Sequence, residues 1–194
     1  MDSLNQLDHS IFLILNGLHH DLLDAPMRFI TARFTWIPFY ALLLGWLVWL
    51  FRKKSLLLII TIALTITAAD QLSSSLLKPL IKRPRPCHET SLQGQVNLVV
   101  EGCGGKYGFV SSHAADSFAL ATLLSLLLRP LRRGRLVLVS LFSWAMLVSY
   151  SRIYVGVHYP GDIVAGALLG IAVGWIFYAL SQRFALKLAL TNRK

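Results

Sequence analysis

The chain alternates uncharged apolar runs with short basic clusters. Residues 36–51 carry no charge and are closed by Arg52, Lys53 and Lys54. Residues 55–69 are again uncharged; Asp70 follows, then residues 71–77 without charge. Residues 118–128 end at Arg129 and the cluster Arg132, Arg133 and Arg135. Residues 136–150 and 163–180 complete the series, the last closed by Arg183 and Lys187. A bilayer crossing needs about 20 mostly apolar residues. With their weakly polar flanks, these five segments reach that length. The pattern predicts an all-α, polytopic integral membrane bundle of five to six transmembrane helices. A soluble bundle is the competing reading, but a chain this short has too little interior to hide five all-round apolar helices.

The N-terminal region is shorter in pattern. Residues 11–18 are apolar but too few to span, and His19, His20 and Asp21 follow. They read as an interfacial amphipathic helix. A half-buried sixth span is the alternative and would move the N-terminus to the other side. A basic leading region and a small-residue cleavage site, the marks of a signal peptide, are missing from it. The organisation expected is an interfacial segment (1–33), a membrane-embedded domain (34–182) and a basic cytoplasmic tail (183–194).

Composition narrows the class. The 194 residues are 55% hydrophobic and 14% charged, against roughly 25% charged in soluble domains. Disorder and a disulfide-framework mini-protein are excluded, the latter by a cysteine count of two. The net charge of +10 would suggest nucleic acid in a soluble chain. Here Trp36, Trp46, Trp49, Trp144 and Trp175 read as belt or packing residues, and nucleic acid is not an expected partner.

The placement of the charge is more informative than its sum. The clusters at 52–54, 129–135 and the C-terminal Arg183, Lys187, Arg193 and Lys194 fall at alternate ends of the spans. The positive-inside rule puts all three in the cytoplasm at once. Residues 78–110 and 151–162 then face outside. Lys78, Lys82, Arg83 and Arg85 break the rule by sitting on that outer side, and a bound anion is a local reason for it. The long irregular stretch 81–110 is of a kind that is usually functional or disordered. It holds Cys87 and Cys103. On an oxidising side these predict a disulfide closing a loop of about 15 residues, worth roughly 3 kcal/mol; free thiols are the alternative.

Three short segments flank the outer helix ends. In Lys78-Pro-Leu-Ile-Lys-Arg-Pro-Arg85-Pro86, Pro79 predicts a helix end near Lys78. Pro84 and Pro86 predict extended backbone at Arg85. In Val110-Ser111-Ser112-His113, a serine before an apolar run predicts a helix N-cap. The free amides of that helix start favour an anion, with His113 in the first turn. In Ser151-Arg152-x5-His158-x3-Asp162, Pro160 suits a first helical position. Asp162 can then reach back to His158, fix its tautomer and leave the other ring nitrogen free as a nucleophile. Arg152 offers a donor fork suited to phosphate. Basic rim, plain capping and a His–Asp cap pair are the bland readings of each segment alone. Together the three bring two histidines, an aspartate and several cations to one face.

These motifs resemble the signature of the type 2 phosphatidate phosphatase family, whose superfamily includes the vanadium haloperoxidases. The signature is K-x6-RP, PSGH and SR-x5-H-x3-D. The first and third match in full; the second has Val110 for Pro and Ser112 for Gly. The resemblance covers roughly residues 34–182. It implies that His158 attacks phosphorus and forms a phosphohistidine, that Asp162 orients His158, and that His113 protonates the leaving oxygen. It implies that Lys78, Arg85, Ser111, Arg152 and the backbone amide at Ser112 hold the phosphoryl oxygens. It implies no metal and no cofactor, and the sequence has no clustered carboxylates of the two-metal kind.

The implied activity is hydrolysis of a phosphomonoester or diphosphate on a membrane lipid. Undecaprenyl diphosphate, phosphatidylglycerophosphate and phosphatidate are the candidate substrates. A lipid A 1-phosphatase and a lipid-to-lipid phosphotransferase are the alternatives, and a non-enzymatic anion or lipid transporter is the rival class. The expected setting is a bacterial inner membrane with the site facing the periplasm or exterior; the oligomeric state stays open. Asp70, at membrane depth, is expected to bond to Ser73, Ser74 or another helix, with a functional role as the alternative. Asp116 either tunes His113 or complements the helix dipole. Gly166, Gly170 and Gly174, four apart, predict close helix packing.

Overall fold

The structure, a computed structural model, describes residues 2–32 and 34–183 of the chain. The tail with Lys187, Arg193 and Lys194 lies outside the described residues. The regular elements are helices: α1 (Asp2–Asn16), α2 (Asp21–Thr31), α3 (Ile37–Phe51), α4 (Ser55–Asp70), α5 (Lys78–Ile81), α6 (Ser112–Leu128), α7 (Gly134–Tyr154) and α8 (Pro160–Arg183). Among the described residues no strand forms beyond a single antiparallel bridge between Pro84 and Tyr107.

Three stretches are long and apolar enough to cross a membrane: Ile37–Ile81, Gly134–Tyr154 and Pro160–Arg183. The first is two helices, not one. Arg52 adopts a φ of 51° and Arg52–Lys54 form a tight 3-10 turn. Tyr40 and Lys78 line the same cavity, whereas an unbroken helix would hold them more than about 50 Å apart. The chain therefore reverses at the basic turn. With the shorter apolar α6, five apolar helices make the bundle, and Leu42, Leu56, Leu136, Leu168 and Trp175 point outward from it. At the basic end Leu47, Phe51, Leu58, Leu128 and Leu141 close one core.

The helix entering the site does not stop at Lys78 as Pro79 suggested. It widens to a π-helical segment over Gln71–Leu77 and then continues as α5 to Ile81. The missing N–H of Pro79 falls in the first turn of α5, where it needs no partner within that helix.

Helix α6 is the central post, buried from Ala114 to Leu128 on most of its surface. It packs on α8 through the three glycines. A Cβ at Gly166 would stand 2.6 Å from the Ser111 carbonyl oxygen, and one at Gly174 would stand 2.5 Å from that of Ala119. One at Gly170 would overlap the Ala115 carbonyl. Only glycine admits so close a backbone approach. The consequence is positional: the first turns of α6 and α8 are brought together, and the Ser111 N–H donates to the Asp162 carbonyl at 3.1 Å.

Helices α1 and α2 lie at this same end. Midway along α1, Asp8 accepts from the Gly161 N–H at 2.8 Å. At its C-terminal end, the Asn16 amide donates to the Tyr154 carbonyl at 2.8 Å and accepts from the Asn97 N–H at 2.8 Å. The middle and the C-terminal end of α1 thus touch the start of α8 and the end of α7. Helix α1 runs across the bundle rather than alongside it as a sixth crossing. Phe12 is fully buried beneath it, edge-on to Tyr159.

Candidate active site

The last turn of α7, the turn that follows it, the first turn of α6, and the loop between α5 and α6 converge on a cavity of about 1070 Å³. Lys78, Arg85, Ser112, His113, Arg152 and His158 line its polar wall. Ile30, Trp36, Tyr40, Trp144 and Val148 line an apolar one.

His158 lies in the turn between α7 and α8, 1% exposed. Its Nδ1 is 3.3 Å from Asp162 Oδ2, one helical turn on. Pro160 starts α8, so Asp162 falls in the first turn with its carboxylate facing back. Oδ2 also accepts from the Tyr159 N–H at 3.1 Å. A carboxylate on Nδ1 assigns the proton there and leaves the lone pair on Nε2. Burial first, then the cations Arg152, Arg85 and Lys78, hold the His158 pKa well below the usual histidine value of 6.5. The ring is therefore neutral and nucleophilic at neutral pH. Asp162 itself stands behind His158, fully buried and outside the cavity lining.

The cations are held by backbone and hydroxyl groups, not by acids. Arg85 has φ −74° and ψ 158°, the extended backbone its flanking prolines impose. Its Nη1 donates to the Cys103 carbonyl at 2.9 Å and its Nε to the Tyr107 carbonyl at 3.3 Å. Cys103 is disulfide-bonded to Cys87, with Cα atoms 6.0 Å apart, so the bond staples the two sides of the loop around Arg85. Lys78 Nζ donates to Ser112 Oγ at 2.8 Å, and Ser73 Oγ lies 2.9 Å from the same oxygen. Arg152 Nη1 donates to Thr31 Oγ1 at 2.5 Å, while its Nε is buried without a protein partner. Cations whose charge is not cancelled by adjacent carboxylates are suited to an incoming oxyanion.

Ser111 and Ser112 differ in placement. Ser111 is fully buried and caps α6, its Oγ accepting from the Ala114 N–H at 3.5 Å. It does not line the cavity, whereas Ser112 and His113 do. Asp70 lines the cavity as well. Ser73 and Ser74 donate to its backbone carbonyl, at 3.0 and 2.6 Å, and not to its carboxylate as expected. Asp116 also faces the cavity, with Oδ1 buried and unpartnered.

Several participants carried no motif. Arg83 was visible only as part of a basic cluster. In the structure its fork joins Asp162 Oδ1 at 2.9 Å to Asp8 Oδ2 at 2.7 Å. Thr31 and Asp8 belong to the N-terminal helices, and nothing in their local sequence announces a partner 121 or 75 residues away.

Residues 54–185 match the model of the PAP2 superfamily. The chain belongs to the PAP2 superfamily. As a PAP2 protein it is a hydrolase of the phosphatase class built on membrane helices. A protein named lipid A 4'-phosphatase from Bacteroides thetaiotaomicron is 39% identical over 190 residues, covering 97% of this chain and 83% of the relative. The undecaprenyl-diphosphatase BcrC of Bacillus subtilis is 27% identical over 178 residues, covering 91% of this chain and 85% of the relative. The crystal structure of a transmembrane PAP2 type phosphatidylglycerolphosphate phosphatase from Bacillus subtilis shares the fold. Its TM-score is 0.75 at 21% identity, over 94% of this chain and 88% of that one.

Proposed function

We propose that this PAP2 protein removes a phosphomonoester from a lipid A type glycolipid at the outer face of a bacterial inner membrane. The observation that carries the reaction is a buried His158, backed by Asp162, in the wall of a cavity that also holds Lys78, Arg85 and Arg152. The phosphate docks among the three cations, near the first-turn amides of α6, with Nε2 of His158 toward phosphorus. Nε2 forms the N–P bond as the ester P–O bond breaks, and Asp162 holds the Nδ1 proton and steadies the imidazolium-like charge. His113, on the same wall, gives its proton to the departing lipid oxygen. It then takes a proton from water as the water oxygen attacks phosphorus. Inorganic phosphate leaves and His158 is regenerated. Positive charge around the transferring group supplies the main stabilisation.

The substrate assignment rests on the 39% identical relative and on the shape of the cavity. Its polar wall meets the phosphate, and its apolar wall of Trp36, Tyr40 and Trp144 suits the acylated part. The relative named undecaprenyl-diphosphatase supports a second reading, a polyprenyl diphosphate. The orientation rests on the basic turns Arg52–Lys54 and Arg129–Arg135, at the end of the bundle opposite the site, and on the disulfide at the site end. Purified protein in detergent, given bisphosphorylated lipid A, undecaprenyl diphosphate and phosphatidate in parallel, tests the assignment. The proposal expects the highest kcat/KM on lipid A with loss of the 4'-phosphate. A preference of tenfold or more for the diphosphate would favour the second reading. Adding an unphosphorylated lipid acceptor separates hydrolysis from transfer: free phosphate stays the product in a hydrolase.

A further inference from the structure

The His158–Asp162 pair does not end at Asp162. The Arg83 guanidinium presents Nη1 to Asp162 Oδ1 at 2.9 Å and Nη2 to Asp8 Oδ2 at 2.7 Å. Asp8 turns its other oxygen to the Gly161 N–H at 2.8 Å, in the first turn of the helix that carries Asp162. Arg83 also rests on the Tyr159 ring, 4.1 Å from its centroid, and His9 stacks on that ring at 4.8 Å. The side chains of Arg83 and Asp8 are 17% and 15% exposed, and that of Asp162 is not exposed at all.

We propose that Arg83 and Asp8 are positioning residues for the phosphoryl-transfer step. In this reading, which rests on the proposed function, an N-terminal helix outside the matched superfamily region sets the aim of His158. Arg83 does not line the site cavity, so it acts through Asp162 and not on the phosphate. A buried carboxylate needs compensating charge and donors. Asp162 receives them from Arg83, the Tyr159 N–H and the His158 Nδ1–H. Those three fix both of its oxygens, leaving Oδ2 with one orientation toward His158. Arg83 in turn has a long, rotatable side chain, and a second carboxylate on its other nitrogen locks the fork in plane. Asp8 supplies that lock and ties it to the α8 backbone. Two glycines let the backbone come close to these carboxylates. A Cβ on Gly161 would stand 2.7 Å from Asp8 Oδ2, and one on Gly108 would stand 2.9 Å from Asp162 Oδ2. Asp8 lies at residue 8, whereas the match to the superfamily model begins at residue 54.

The test is steady-state kinetics of Asp8→Asn, Asp8→Glu and Arg83→Lys in detergent micelles on bisphosphorylated lipid A and phosphatidate. Inhibition by orthovanadate serves as an independent gauge of anion binding. Loss of a partner that orients a reacting group costs on the order of 10- to 100-fold. Asp8→Asn and Arg83→Lys are expected to lower kcat by about that factor, with KM and the vanadate inhibition constant changed less than about threefold. Asp8→Glu is expected to recover most of the lost kcat. Unchanged kcat in Asp8→Asn would overturn the inference. So would a loss confined to KM and vanadate affinity, since Arg83 would then be a phosphate ligand. A kcat loss in Asp8→Asn that Asp8→Glu leaves unrescued, with melting temperature lowered in both, would also overturn it as a folding effect. Wild-type protein releasing no phosphate from either lipid would instead defeat the proposed function. A positioning failure shows as wild-type turnover with indifferent Asp8 variants.

Discussion

Asp162 Oδ2 stands 3.3 Å from His158 Nδ1, while the Asp162 backbone carbonyl accepts the Ser111 N–H at 3.1 Å. One residue therefore orients the nucleophile with its side chain and fixes the α6 capping turn with its backbone. Asp162→Asn separates the two roles. The backbone bond survives, but the amide no longer specifies the Nδ1–H tautomer. A kcat loss of roughly 10²–10⁴-fold is expected, by the precedent of the serine-protease aspartate, with KM little changed. Initial rates of phosphate release measure it, and a loss under tenfold would contradict the assigned role.

The lowered pKa of His158 has a sign that can be checked. A histidine is reactive only when neutral, and burial with three nearby cations keeps this one neutral below its usual 6.5. The fall in kcat from protonation of the nucleophile should therefore lie below pH 6.5. Stability carries the same linkage. As pH drops through 6.5 the unfolded chain binds a proton at this position and the native protein does not, so stability falls toward acid. His158→Gln should flatten that portion of the melting-temperature profile between pH 7 and 5.

The disulfide joins Cys87, two residues after Arg85, to Cys103, whose carbonyl accepts from Arg85 at 2.9 Å. The double variant Cys87→Ser, Cys103→Ser frees the loop. It should raise KM several-fold with a smaller effect on kcat, and lower stability by about 2–4 kcal/mol. Kinetics and thermal unfolding with and without reductant read both; wild-type protein in reductant should follow the double variant.

The α6–α8 contact makes a stability prediction with a built-in control. Gly170→Val places a side chain into the Ala115 backbone and should cost roughly 1–3 kcal/mol or more, with aggregation in detergent at lower temperature. Gly45→Ala in α3 meets nothing within 4 Å and should be neutral or stabilising by under about 1 kcal/mol.

Much of this was legible in the chain because membrane helices and phosphate sites use short-range signals. Uninterrupted apolar runs and alternating basic clusters gave the bundle. Pro84 and Pro86 fixed Arg85, and the spacing of His158 to Asp162 placed them one turn apart. The serine at 111 capped α6. What stayed hidden depends on contacts between distant segments. The N-terminal stretch read as too short to span, which is a statement about length, and length says nothing about Asn16 reaching Tyr154 or Thr31 reaching Arg152. Pro79 suggested a helix end, but the π-helical widening over Gln71–Leu77 let the helix continue. Ser73 and Ser74 were matched to Asp70 correctly by spacing, yet bond its carbonyl, because serine on a helix readily bonds back one turn.

The central claim, that His158 is the nucleophile of a lipid phosphatase, is tested most directly by phosphate release from bisphosphorylated lipid A with purified wild-type and His158→Ala protein at equal folded concentration. Turnover is expected in the wild type, with a loss of at least about 10³-fold in the variant. Turnover by His158→Ala within tenfold of the wild type would contradict it.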